Sequence, residues 1–159
     1  MILGFGPPER MLVYYLWVFW VYGVLGLATV ICAVACLWGG WPERICGATL
    51  WIAWVLSLVV ELLDGKGIGN IIALIDSLCL VIFVAVSLKW RHIWTLLVAA
   101  SQLDDVMSHL TAKMLNYSLW SYAMATGLWG GQFIMLCLLI ATLDHRRRRL
   151  KRQRLLLPA

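Results

Sequence analysis

Residues 11–38 read MLVYYLWVFWVYGVLGLATVICAVACLW, with no Asp, Glu, Lys or Arg anywhere in the run. A helix crosses the hydrocarbon core of a bilayer with ~20 apolar residues. This stretch is longer than that. A chain of 159 residues, 63% of them hydrophobic, cannot bury such surface in a water-soluble core. The solvent this sequence anticipates is lipid.

Working outward, four more apolar stretches follow, separated by breakers. Gly39, Gly40, Trp41 and Pro42 end the first, because glycine loosens the backbone and proline cannot donate. A second stretch ends at the glycine-rich Asp64-Gly65-Lys66-Gly67-Ile68-Gly69-Asn70, and a third at Lys89-Trp90-Arg91-His92. The fourth is the most polar. The fifth stops at the cluster Arg146, Arg147, Arg148, Arg149, Lys151, Arg152 and Arg154. The expected fold is an all-α integral membrane protein, a bundle of five transmembrane helices over residues 1–143. Its spans are read at about 11–38, 45–63, 71–88, 93–115 and 117–143. Residues 144–159 are expected as a basic cytoplasmic tail against anionic lipid headgroups. No separate soluble domain and no cleavable signal segment is expected, since Glu9 and Arg10 precede a run too long for a signal core.

Orientation follows from lysine and arginine placement. With five crossings, Arg44, Lys89, Arg91 and the C-terminal cluster share one side, and Arg10, Lys66 and Lys113 share the other. The basic side is expected inside, with the N-terminus outside. A fourth segment that failed to cross would put Arg44, Lys89, Arg91 and Lys113 outside, a poorer fit. Trp38, Trp41, Trp90 and Trp94 fall at the inner turns, where indole rings favour the headgroup level. Trp51, Trp54 and Trp129 lie deeper, as packing residues.

The net charge of +5 comes from the terminal cluster. Directly after an apolar helix, that cluster marks a membrane surface and not nucleic acid. Cys32, Cys36, Cys46, Cys79 and Cys137 are odd in number and sit in or beside apolar segments. They read as small packing residues and not as a disulfide framework.

The fourth span concentrates the chemistry. Gln102, Asp105, His109 and Lys113 recur at intervals of three and four and form one helical stripe. Asp104, Ser108 and Thr111 form another. A charged group at mid-membrane costs at least ~2.5 kcal/mol on insertion scales, so these groups need partners. His109 lies roughly 9 Å from the outer end of its span at 1.5 Å per residue. Asp76, Glu61 and Tyr122 fall in the outer halves of the third, second and fifth spans. The expectation is a shared polar pocket, open to the outside, built from Glu61, Asp76, Gln102, Asp105, His109 and Tyr122, with Lys113 at the rim. Such a cluster can relay protons, hold a cation, anchor a polar headgroup, or simply lock helix packing. No spacing typical of a metal site occurs, and no metal or cofactor is expected.

Ala123, Gly127 and Gly131 repeat every four residues, a face on which another backbone can approach closely. It suits internal packing, a homo-oligomer or a larger membrane complex. Catalytic signatures are absent: there is no nucleophile elbow and no nucleotide-binding glycine loop after a strand. The chain is expected not to be an enzyme.

Lys89-Trp90-Arg91-His92-Ile93-Trp94, then Ala99-Ala100-Ser101-Gln102-Leu103 and His109, and later Ser121-Tyr122-Ala123 leading to Trp129, form a pattern. It resembles small uncharacterised multi-span inner-membrane proteins of sphingomonad-type alphaproteobacteria, over about the last two-thirds of the chain. Asp104 and Asp105 stand outside that pattern. The resemblance implies a bacterial inner-membrane location and no particular activity. The leading functional expectation is a non-enzymatic accessory or scaffold subunit of a membrane assembly. A small proton or cation carrier using Asp105 and His109 is the alternative, and a holin-like pore a further one.

Overall fold

The computed structural model describes residues 8–64, 70–115 and 131–156. All regular structure there is helical, in five helices: α1 Pro8–Trp38, α2 Trp41–Asp64, α3 Asn70–Trp90, α4 Ile93–Leu115 and α5 Phe133–Leu156. A π-type turn at 131–132 leads into α5. Residues 117–130 of the expected fifth span lie outside the described residues. Two helical stretches, Trp41–Val60 and Asn70–Trp90, are long and apolar enough to cross a membrane. Tyr22–Trp38 is a shorter apolar stretch.

Helix boundaries differ from the sequence reading at two places, each for a local reason. The break between α1 and α2 is confined to Gly39 and Gly40, and Trp41 and Pro42 already belong to α2. Proline is tolerated in a first turn because its missing N–H has no partner there anyway. Glu43 sits in the same turn, where the helix dipole favours an anion. At the other end of the chain, α5 does not stop at the arginines but runs through them to Leu156. Arginine and lysine are good helix formers and suit a helix C-terminus. Arg148 also pairs with Asp144 one turn earlier, at 2.7 Å.

Each helix packs on its chain neighbours, most extensively α3 on α4, and α5 closes the bundle by packing on α1 and α4 and touching α2. The core joins Ala28, Cys32 and Ala35 of α1 to Cys46, Leu50 and Ala53 of α2. Phe83 of α3, Val98 of α4, and Ile134 and Leu138 of α5 complete it. Small residues dominate the α1–α2 seam, so the backbones approach closely. All five cysteines are free thiols, and Cys32, Cys46, Cys79 and Cys137 are buried packing groups.

The distribution of polarity is the reverse of a water-soluble protein. Large apolar side chains such as Leu63, Ile93, Leu88, Val81 and Leu74 point outward. Glu43, Ser87, Thr95, Ser101, Gln102, His109 and Thr142 point inward. The α1–α2 turn, the α3–α4 turn and the Asp144–Arg148 segment of α5 meet at one end of the bundle. There Arg146 lies over the Trp38 ring at 4.0 Å, and Glu43, His92 and His145 line one cavity.

Candidate functional site

The α3–α4 pair is a hairpin with a two-residue turn. Arg91 takes a left-handed backbone conformation, φ 53°, and its N–H returns to the Ser87 carbonyl at 2.9 Å. The His92 carbonyl then accepts from the backbone N–H of Thr95 and from the Thr95 hydroxyl, at 3.1 and 2.7 Å. These bonds fix how α4 leaves α3. They thereby set which face of α4 meets α3 further along.

That face carries the polar stripe. The His109 Nε2 lies 2.8 Å from the Asp76 Oδ2 across the two helices. The Gln102 side-chain amide donates to the Asp76 Oδ1 and to the Asp76 backbone carbonyl, both at 3.4 Å. Asp105 lies between Gln102 and His109 in the same stripe, and its Oδ1 is buried with no hydrogen-bond partner among the described residues. The His109 and Asp76 side chains are only 4% and 15% exposed. The cluster is therefore sealed between helices, where an imidazole–carboxylate contact gains strength from the low dielectric.

Asp76, Asp105 and His109 each offer a ligand atom, and these atoms lie within 4.8 Å of one another. Two carboxylates and one imidazole suit a proton, shared among them, or a divalent cation taken by oxygen and nitrogen ligands. The Asp105 oxygen is the least satisfied member. A buried acceptor without a donor costs ~1–3 kcal/mol. Filling that vacancy with a proton or cation relieves the cost.

Of the residues expected in the pocket, Asp76, Gln102, Asp105 and His109 are brought together. The side chains of Glu61 and Lys113, and all of Tyr122, Ala123 and Gly127, lie outside the described residues. Gly131 is buried against Trp54 of α2, so close that an added Cβ would stand 2.7 Å from the indole Cζ2. The second stripe of α4 is dealt with differently. Ser108 and Thr111 donate to the carbonyls of Asp104 and Met107 in their own helix, at 2.9 and 3.0 Å. Asp104 is exposed.

Sequence reasoning missed Glu43. Its residue is 4% exposed and its Oε2 is buried without a partner among the described residues. The signal was Pro42-Glu43 just after two glycines, a helix first turn that reads as a loop when proline is taken only as a breaker. No family model, no curated protein and no solved structure matches this chain.

Proposed function

We propose that the chain is an integral protein of the bacterial inner (cytoplasmic) membrane, non-enzymatic, with five spans, its N-terminus outside and its C-terminus in the cytoplasm. Its proposed activity is to bind and carry a cation, a proton or a divalent metal, at Asp76, Asp105 and His109. Topology rests on the apolar outer surface and on the gathering of Arg44, Lys89, Arg91 and the α5 arginines towards one end. The basic extension of α5 would lie along anionic headgroups.

The single observation that carries the activity is the Asp105 Oδ1, sealed between α3 and α4 with no donor, within ligand distance of the Asp76–His109 pair. A packing contact is best served by full satisfaction of its polar groups, as Ser108 and Thr111 achieve. An open acceptor at this depth is instead suited to a group that comes and goes.

Proteoliposomes test the reading, with a pH dye or a zinc dye trapped inside. Wild-type protein should conduct one of the two ions, and Asp105→Asn and His109→Ala should each cut that flux at least tenfold. Flux that survives both substitutions belongs to an unselective pore and overturns the assignment. Wild-type protein that carries neither ion, but co-purifies with a partner in mild detergent, is an accessory or scaffold subunit instead.

A further inference from the structure

The turn-bearing end of the bundle holds a second polar centre, remote from the first. Along α3, Asp76 and Trp90 are about 21 Å apart at 1.5 Å per residue. The centre is a cavity of about 100 Å³ lined by Glu43, His92, Trp94, Asp144, His145 and Arg148. Those residues come from the start of α2, the α3–α4 turn, the start of α4 and the middle of α5. No short sequence motif could assemble them.

Glu43 is its most telling member. The residue is 4% exposed, lines the cavity, and leaves its Oε2 buried without a partner among the described residues. The cations nearby are engaged elsewhere. Arg148 is paired with Asp144 at 2.7 Å, and Arg44 donates its Nε to the Gly39 carbonyl at 3.0 Å. What faces Glu43 is an imidazole. A Cβ placed on Gly40 would lie 3.0 Å from the Glu43 Oε2, 2.9 Å from the His145 Cε1 and 3.2 Å from the His145 Nδ1. The carboxylate and the ring thus converge on the one spot where the chain has no side chain. His92, its backbone held by the start of α4, adds a second imidazole from the facing turn, stacked beside Trp94.

We propose that Glu43, His145 and His92 form a binding site for a divalent transition-metal cation of the zinc type, open to the basic face of the bundle. Two imidazoles and one carboxylate are a donor set that such ions favour. The set stands more loosely than Asp76, Asp105 and His109, around an open cavity. Both imidazoles can rotate inward, and Asp144 or water completes the shell. A cavity of this size takes an ion with its water. A divalent charge also answers the Glu43 carboxylate, which no described ion pair does. The site stands independently of ion carriage at the intramembrane cluster.

Zinc titration of the purified full chain in detergent, followed by calorimetry, tests the proposal. The Asp105→Asn/His109→Ala background removes the intramembrane cluster as a competing site. One zinc should still bind in that background. Adding Glu43→Gln or His145→Ala should weaken it at least tenfold, with helicity and elution volume unchanged. Gly40→Ala, which keeps every ligand but fills the space between two of them, should weaken it as well. No zinc binding in the double-variant background overturns the proposal. So does binding that is indifferent to both Glu43→Gln and His145→Ala. Should Glu43→Gln disturb the fold, the half-exposed His145 still decides the matter.

Discussion

The α3–α4 cluster and the Glu43 cavity put the same chemistry, carboxylate and imidazole, at opposite depths of one bundle, and they are built by opposite means. In the cluster, one helix face supplies Gln102, Asp105 and His109 at helical spacing, and a single residue of the neighbouring helix, Asp76, completes it. Regular helix geometry does the positioning. In the cavity, each group comes from a different element, and irregular backbone does the positioning: a glycine pair at 39–40 and a left-handed residue at 91. A regular element places groups through its period, and a turn end places them through steric exceptions. The two should therefore fail differently when altered.

The largest effect is expected at the turn end. A Cβ on Gly39 would stand 2.5 Å from the Ala35 carbonyl oxygen and 2.6 Å from the Glu43 Cβ. Neither is the mobile tip of a side chain, so the backbone itself must shift. Gly39→Ala should cost ~3 kcal/mol of stability, read as unfolding in mixed micelles with increasing SDS. It should leave the intramembrane cluster's ion flux per folded molecule nearly intact. A near-neutral Gly39→Ala would mean that the turn has slack, and the contrast between the two regions would weaken.

The cluster should show the reverse pattern. Asp76→Ala strands His109 and Gln102 together and should cost about 2 kcal/mol, the penalty of buried polar groups left unpaired. A double-mutant cycle between Asp76→Ala and His109→Ala should return a coupling of about 1 kcal/mol, in the range of polar contacts between membrane helices. The flux loss should far exceed what that stability change explains. Additive single effects would mean that the 2.8 Å contact contributes nothing beyond its parts.

How much of this was readable beforehand follows from the same contrast. The polar stripe of α4 was legible because helical periodicity is a local property, and Asp76 could be added because its depth matched that of His109. Residues 93–115 were read as a helix and are one, because Lys89-Trp90-Arg91-His92 marks the turn before it. The cavity was not legible. Nothing local in Trp41-Pro42-Glu43-Arg44 says that His145, a hundred residues later, will face Glu43. The course of α5 past Leu143 was hidden for a related reason. A run of arginines reads as a surface tail by charge, whereas its helix propensity and the Asp144–Arg148 pair continue the helix.

The smallest expected effect concerns the other polar face of α4, and it tests whether polarity in this helix has one meaning or two. Ser108 and Thr111 return their hydroxyl hydrogens to carbonyls three or four residues back, at 2.9 to 3.1 Å. Such bonds satisfy the hydroxyl without engaging another helix, and they add little to a backbone already bonded. Ser108→Ala and Thr111→Val should each change stability by less than ~0.5 kcal/mol. Neither should alter ion flux. Asp105 occupies the same helix one turn before His109, yet its oxygen has neither kind of partner. If Thr111→Val depressed flux as deeply as Asp105→Asn, the hydroxyl face would belong to the conduction path as well. The division of α4 into a working face and a self-satisfied face would then have to be redrawn around the whole helix.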